Sequence, residues 1–220
     1  MTLSVHRLAD NHSGYADFGP GFFDRADGSD DGLFYAQPRL VTHIDEGAIE
    51  AAGKIYQALA IEGTVLDLMS SWISHFSTAP ERLVTLGRNA FELARNDAAV
   101  GGLVADLNDH PELPFVDGAF EHAVCAVSVD YLSRPLEVFD DVARVLRPGG
   151  VFCHVFSNRL FPTKAIAGWL HAEEEDRVAI CAEYFRRSGD GSGSFWTEPE
   201  ATVSRGVGDP LYAVWARRQG

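Results

Sequence analysis

The sequence is poor in cysteine, and its histidines form no cluster. The three cysteines, Cys125, Cys153 and Cys181, lie far apart in apolar surroundings. This spacing excludes the paired cysteine patterns of zinc and redox sites, so we expect the three cysteines to be small apolar residues of the core. The eight histidines are scattered as well, with no pair at the spacing of a helix face. We therefore predict no metal site.

Basic residues are scarce relative to acidic ones, and long apolar runs are missing. There are 18 lysines and arginines against 32 aspartates and glutamates, which gives a net charge of -14. Such a chain repels phosphate backbones and anionic lipid surfaces. No apolar run approaches the ~20 residues of a membrane helix, and residues 1–6 lack the apolar core of a signal peptide. We expect neither a nucleic acid nor a membrane as partner, and a cytoplasmic location.

The composition changes near residue 33. Residues 1–32 are rich in Gly, Asp and Ser, which predicts a flexible N-terminal arm. Residues 33–220 are long enough for a single well-cored domain. Apolar spacing predicts that this domain begins with a helix, capped by Asp45 and ended by Gly63.

Short apolar runs then alternate with helical patterns, which predicts an α/β fold with a doubly wound, mostly parallel sheet. Parallel strands are predicted from Thr64 and over residues 82–87, 102–107, 122–129 and 151–157, and an antiparallel pair over 201–206 and 211–217. Helices are predicted within residues 72–80, over 89–96, from a cap at Ser133, and over 161–171 and 173–187.

Two of the predicted parallel strands end in a single acid. Asp67 closes the run that begins at Thr64, and Asp106 closes the third strand. Ligands of open α/β sheets bind beyond the carboxyl ends of the strands, so both carboxylates are placed to meet a ligand. An acid at a strand end can equally cap the next turn, and this interpretation of Asp67 stays open.

Three stretches carry a family resemblance: Val-Leu-Asp-Leu at 65–68, Leu-Pro-Phe-Val-Asp-Gly-Ala-Phe at 113–120, and Val-Ala-Arg-Val-Leu-Arg-Pro-Gly-Gly-Val at 142–151. With them the sequence resembles the class I S-adenosylmethionine-dependent methyltransferases of the small-molecule type, over residues 50–217. The resemblance implies a seven-strand sheet with a C-terminal antiparallel hairpin. It also implies S-adenosyl-L-methionine as cofactor and a small-molecule methyl acceptor.

The resemblance assigns cofactor contacts residue by residue. The loop after Asp67, with Met69, Ser70 and Ser71, matches the loop that holds the methionine end. Asp106 matches the acid that accepts from the adenine amino group, and Leu107 the neighbouring backbone contact. Ser128 lies where the fourth strand of the family opens toward the methyl group.

The sequence departs from the family in two places. Met69 and Ser71 stand where glycines are usual, which restricts the approach of the backbone to a ligand, and serine hydroxyls are expected to donate instead. Gly87 stands where an acid normally binds the ribose, so we expect Asn89 to contribute there. An acid introduced at Gly87 is expected to strengthen binding.

A base is required only where the acceptor must lose a proton. The candidate catalytic residues are Asp130 and Tyr131 after the fourth strand, and Tyr35 and His43 before the first. These candidates also have structural interpretations: Asp130 as an acid in a turn, Tyr131 as a side chain that covers the core, and His43 as a residue at the start of a helix. Residues 33–45 and 161–187 are expected to form the two walls of the acceptor pocket, with Trp169 either in that wall or in the core. Further candidates are Arg39, Asn158, Arg159 and, with less support, His75.

Two other functions remain open from the sequence. The altered loop and the missing acid also suit a non-catalytic binding or scaffold protein that has lost productive cofactor binding. A nucleotide-dependent oxidoreductase is disfavoured, because no phosphate-binding glycine fingerprint follows the first strand. The sequence names neither the acceptor nor the oligomeric state.

Overall fold

An eight-stranded sheet forms the centre of the computed structural model, which describes residues 2–3, 14–189 and 193–220. The strand order is β1-β7-β8-β6-β5-β2-β3-β4. Strands β4, β3, β2, β5 and β6 are parallel, and β8, β7 and β1 continue the sheet in antiparallel fashion. The strands are β1 Thr2–Leu3, β2 Thr64–Leu68, β3 Arg82–Gly87, β4 Ala99–Val104, β5 His122–Ala126, β6 Val151–Phe156, β7 Glu200–Ser204 and β8 Leu211–Arg217.

The predicted seven-strand fold with its terminal antiparallel hairpin is confirmed. The structure has one strand more than predicted: β1, which has two residues and pairs with β7. β4 begins at Ala99, three residues before the predicted strand, and it ends at Val104. Asp106 therefore lies in the loop after β4. This strand is at the sheet edge and mostly exposed, so burial does not fix its bounds as it does for the inner strands.

Six α-helices accompany the sheet in the described part of the chain. They are α1 Asp31–Phe34, α2 Glu46–Ala58, α3 Ala90–Leu93, α4 Pro135–Val145, α5 Ala167–His171 and α6 Glu174–Arg187. As predicted, Asp45 caps α2, and its carboxylate accepts from the Ala48 backbone N–H at 2.8 Å. The helix ends before Gly63, because Ala60 already adopts a left-handed conformation with φ 53°.

Other predicted helices are shorter or absent. Residues 69–81, between β2 and β3, form no helix. Asn89 caps α3, whose Ala90–Leu93 covers half of the predicted span. Ser133 does not cap α4, since Arg134 occupies that position and the Ser133 hydroxyl donates to Asn108. α5 covers only the end of the helix predicted over 161–171.

Two apolar clusters pack on the two faces of the sheet. One contains Ala48, Ala52 and Tyr56 of α2, and the other the predicted apolar face of α4. Trp169 is 1% exposed and belongs to the core, as do Tyr184 and Phe185. The core interpretation of Trp169 therefore holds, and these three side chains form no wall of an acceptor pocket.

Part of the predicted N-terminal arm is packed against the domain. Phe18 is buried in the core, and the Ala167 backbone N–H donates to the Asp24 carbonyl at 2.8 Å. This packing corrects the expected loose attachment for residues 14–32, because apolar side chains scattered among Gly and Asp still complete the core. Apart from Thr2 and Leu3, the rest of the arm lies outside the described residues. The domain boundary at residue 33 stays a prediction.

Within the described ranges, no helix combines the length and the apolar character that crossing a membrane requires.

Lys164 links the packed arm to the domain. Its ammonium is fully buried and lies 3.1 Å from Asp27 and 3.0 Å from Asp31. Lys164→Met should lower the free energy of unfolding by about 3–5 kcal/mol, because the change leaves a buried carboxylate without one of its partners. The matched control is Lys54→Met, since Lys54 is exposed and should cost less than about 1 kcal/mol. Urea unfolding measures both, and equal losses would contradict a structural role for Lys164.

His154 makes the stability depend on pH. It is fully buried and stacks on Phe139, with ring centroids 4.8 Å apart, and burial lowers its pKa to about 3. The unfolded chain binds this proton near pH 6.5, so the stabilisation present above that pH is lost as the pH falls toward 3. Between pH 7 and 4.5, His154→Leu should lose about 2 kcal/mol less stability than wild type. Exposed His171→Leu serves as control, and identical pH profiles for all three proteins would refute the assignment.

Candidate functional site

A cavity of about 280 Å³ opens at the carboxyl ends of β2, β3 and β5 and beside the loop that follows β4. Parallel strands bring these ends to one edge of the sheet, as expected for a ligand site. Asp130 and Asn158 are not among the lining residues. The other predicted catalytic and cofactor-binding residues line it: Tyr35, His43, Asp67, Met69, Ser70, Ser71, Gly87, Asn89, Asp106, Leu107, Ser128 and Tyr131.

Asp67 forms the floor of this site at the end of β2. It is 3% exposed, and its Oδ2 accepts hydrogen bonds from the hydroxyls of Ser70 at 2.7 Å and Ser74 at 2.5 Å. Burial raises the pKa of Asp67 to about 6, although the two serine hydrogen bonds act in the opposite direction. The Asp67 carboxylate thus binds the loop that follows it and also lines the cavity. Both interpretations of Asp67, as cap of the next turn and as ligand contact, fit this position.

The serine hydroxyls of the loop are already engaged as donors. Those of Ser70 and Ser74 donate to Asp67, and that of Ser71 donates to Glu92 at 2.6 Å. The Ser70 backbone N–H donates to the Leu86 carbonyl at 2.8 Å. A hydroxyl has one proton, so these serines meet a ligand as acceptors. The expectation that they donate to the cofactor does not fit this structure.

Gly87 is required by the path of that loop. A Cβ at Gly87 would lie 2.1 Å from the Ser70 carbonyl oxygen, a backbone atom that no rotamer change can move. The expected gain from an acid at this position is therefore wrong, since any side chain here would displace the loop. The same contact explains why the family's ribose-binding acid is missing.

Asn89 ties the segment before α2 to the site. Its Oδ1 accepts from the backbone of α3, and its Nδ2 donates to the Tyr35 carbonyl at 2.8 Å. This contact holds the segment that contains Tyr35 beside the cavity, and both Tyr35 and His43 line the wall. The predicted role of residues 33–45 as a cover of the cleft requires such a position. Asn89 itself has little free hydrogen-bonding capacity for a ribose, and its cofactor role stays a prediction.

Asp106 lies at the cavity wall beside β3. Its Oδ1 accepts from the Asn108 backbone N–H at 2.9 Å, and its Oδ2 lies 3.3 Å from Arg88 Nη2. Both contacts hold the carboxylate in one orientation. This geometry leaves the carboxylate able to accept a further hydrogen bond from a ligand amino group.

The two candidates after β5 have different surroundings. Tyr131 lines the cavity, and its hydroxyl accepts from the Phe161 backbone N–H at 2.9 Å. Asp130 is 3% exposed and lies outside the cavity lining, and burial raises its pKa to about 7. Direct contact between Asp130 and an acceptor has no support in this placement. The catalytic roles of both residues stay predictions.

Backbone strain is concentrated around the cavity. Four non-glycine residues of the described chain have positive φ, and three of them line the cavity: His43 at 63°, Met69 at 54° and Val127 at 46°. Each such residue costs of order 1–3 kcal/mol, and a β-branched residue such as Val127 is rare in this region. Such strain clusters at functional sites, where the surrounding structure maintains it.

Several buried polar groups at the wall have no hydrogen-bond partner among the residues described. These are both ring nitrogens of His75, Nη1 of Arg39 and Nε of Arg88. Burial lowers the pKa of His75 to about 4, with a smaller effect of His43, so the imidazole is neutral at pH 7. Unpaired buried polar groups cost free energy, so each calls for an explanation.

Several lining residues had no predicted site role. Arg88 directly follows β3 and Asn108 follows Asp106 by two residues, so their positions after strands were a usable signal. Glu92 comes from a short helix, and no pattern marks it. Of the predicted wall over residues 161–187, Phe161 lines the cavity. Val127 appeared to be part of a strand, whereas its backbone turns out of β5 into the cavity.

Comparisons with known proteins point to a methyltransferase domain. A family model described as "Methyltransferase domain" matches residues 75–154, so β2 and residues 69–74 of the following loop precede the match. The methyltransferase GfsG of Streptomyces halstedii is 26% identical over 129 residues, which cover 53% of this chain and 46% of that protein. The biotin biosynthesis bifunctional protein BioHC of Teredinibacter turnerae is 39% identical over 46 residues, 21% of this chain and 8% of that protein. The chain thus spans less than half the length of these curated relatives.

Solved structures share the fold. An S-adenosylmethionine-dependent methyltransferase from Aquifex aeolicus matches with a TM-score of 0.51 at 15% identity, over 78% of this chain and 93% of that one. One from Thermotoga maritima matches with a TM-score of 0.54 at 12% identity, over 77% and 90%. The methyltransferase domain match over residues 75–154 and the shared fold support the resemblance to the class I S-adenosylmethionine-dependent methyltransferases that the sequence showed.

Proposed function

We propose that this protein transfers a methyl group from S-adenosylmethionine to a small-molecule acceptor. The observation that carries the proposal is the single cavity wall shared by Asp67, Asp106 and Ser128, the residues that the family resemblance assigns to the cofactor. They come from three strand ends and meet at the edge where α/β sheets bind ligands.

The residues present fit the cofactor at its adenine end. Asp106 has a fixed carboxylate for the exocyclic amino group, and Leu107 follows it in the wall. At the ribose, Gly87 supplies no acid, and the Nε of Arg88 is the buried donor nearest in sequence that no protein group uses. In the family, an acid normally accepts hydrogen bonds from the ribose hydroxyls. We infer that Arg88 instead donates to a ribose oxygen in this protein.

When bound, the cofactor supplies an activated methyl group on a sulfonium. The protein then has to align the acceptor and exclude water. Residues 35–43 cover the cavity from one side, and Leu160 and Phe161 from the other. Burial lowers the pKa of His43 in this wall, so it is a neutral imidazole able to accept a proton from an acceptor. Aromatic and apolar side chains among the lining groups suit a small organic acceptor.

A non-catalytic binding protein is the second candidate. Its support is the engaged serine loop together with the strained Met69, which departs from the glycine-rich loop of the family. Both functions predict ligand binding at this cavity, and turnover separates them.

Titration with S-adenosylmethionine, S-adenosylhomocysteine and nicotinamide adenine dinucleotide tests the cofactor class. Calorimetric binding of the two sulfur compounds but not of the dinucleotide is the expected result. Binding of the dinucleotide alone would refute the proposal and favour an oxidoreductase. Binding of neither class would favour a protein that has lost cofactor binding.

Asp106→Ala should weaken S-adenosylhomocysteine binding about tenfold to a hundredfold. The change removes a charge-assisted hydrogen bond and leaves a ligand donor unpaired, at a cost of about 1–3 kcal/mol. Asp109→Ala is the matched control, because Asp109 is exposed and lies three residues further along the same loop. Calorimetric titration of the folded variants measures the effect. Wild-type affinity in Asp106→Ala would show that the carried-over adenine contact is wrong.

A further inference from the structure

The methionine end of the cofactor carries a carboxylate, and the loop expected to bind it has its serine hydroxyls engaged. The hydroxyls of Ser70, Ser71 and Ser74 donate to protein carboxylates, and the Ser70 N–H donates to Leu86. A carboxylate placed against these hydroxyls would meet oxygen atoms. Its side-chain hydrogen-bond donors are therefore expected from another part of the wall.

Arg39 lies in that wall with one nitrogen unused. Its guanidinium carbon is 4.5 Å from the ring centroid of Phe34 and 5.5 Å from that of Phe161. Nη2 donates to the Phe34 carbonyl at 3.0 Å, while Nη1 is buried and has no partner in the ranges that the structure covers. The chain has 32 acids and 18 bases, yet Arg39 forms no ion pair with a described residue. A guanidinium that has one buried nitrogen without a partner and no acidic partner in so acidic a chain indicates an anionic ligand.

Glu92 connects Arg39 to the cofactor loop. One of its carboxylate oxygens accepts from the Arg39 backbone N–H at 2.7 Å, and the other from the Ser71 hydroxyl at 2.6 Å. Both oxygens are thus engaged away from the guanidinium. The bridge fixes the Arg39 backbone next to the loop, and Arg39 and the loop serines line the same cavity.

His75 provides an independent second donor. It directly follows Ser74, which binds Asp67, and lines the same cavity at 6% exposure. In the described chain neither of its ring nitrogens has a partner. A neutral imidazole carries one N–H, which a carboxylate satisfies.

We propose that Arg39 and His75 form the binding site for the methionine carboxylate of the cofactor, in place of side-chain donors from the loop after β2. This inference rests on the proposed function, because it takes the ligand to be S-adenosylmethionine. An acceptor that carries a carboxylate offers the same chemistry, and the experiment separates the two sources.

The test compares two ligands by calorimetry. S-adenosylhomocysteine has the carboxylate, and 5′-methylthioadenosine lacks the whole amino-acid end. Arg39→Met should weaken the first about tenfold to a hundredfold and leave the second within about twofold of wild type. Arg39→Lys, which keeps the charge but not the planar fork, should fall between. Arg95→Met is the control, since Arg95 is an exposed arginine stacked on Phe91.

His75→Phe keeps the ring and removes both nitrogens, and should weaken S-adenosylhomocysteine selectively in the same way. It also keeps the inference testable if Arg39→Met does not fold, which thermal unfolding detects. Equal weakening of both ligands by the variants would overturn the inference, because it would show a general effect on cavity shape. Unchanged binding of S-adenosylhomocysteine would overturn it as well, while leaving the proposed function intact.

Benzoate, titrated into protein saturated with S-adenosylhomocysteine, tests the other source. Binding to wild type that is lost in Arg39→Met, with unchanged S-adenosylhomocysteine affinity, would assign the site to an acceptor carboxylate and overturn the cofactor assignment. No benzoate binding, with selective loss of S-adenosylhomocysteine, supports the inference. Failure of wild type to bind S-adenosylhomocysteine at all would reject the proposed function itself.

Discussion

The close contact between the loop after β2 and the end of β3 determines the architecture of the site. The Ser70 N–H donates to Leu86, and the Ser70 carbonyl passes so near Gly87 that no side chain fits there. This one crossing removes the position of a ribose-binding acid and directs the serine hydroxyls toward Asp67 and Glu92. A cofactor site of the family type must then draw its polar contacts from neighbouring segments.

Those segments are held in place at some energetic cost. Met69 and Val127 adopt positive φ angles that residues with side chains rarely take, and both line the cavity. The cost is offset by tertiary contacts: Asn89 fixes the segment before α2, and Lys164 anchors residues 27–31 through buried ion pairs. The site is therefore built from loops and strand ends that the sheet and the packed arm position together.

The cavity wall contains basic hydrogen-bond donors without a protein partner, although the molecule as a whole is acidic. The chain has a net charge of -14, but Arg39 and Arg88 bring unpartnered guanidinium nitrogens to the wall, within the described chain. Both carboxylate oxygens of Glu92 and the Oδ2 of Asp67 accept from serine hydroxyls or a backbone amide. The wall thus offers the free donors of the two arginines beside the acceptor Asp106, and these donors suit a ligand that carries a carboxylate.

The sequence alone determined the fold class and the family, because buried parallel strands produce continuous apolar runs and the stretches at 113–120 and 142–151 are specific. It also placed Asp67, Asp106 and Ser128 at one edge, since parallel strands end together. Only the tertiary structure decided which donors are free, because hydrogen bonds such as Ser71 to Glu92 join residues 21 apart in the chain. It likewise decided that Gly87 excludes an acid, that Trp169 is core and that Asp130 lies off the cavity. Each of these depends on non-local packing, which periodicity and local propensity do not encode.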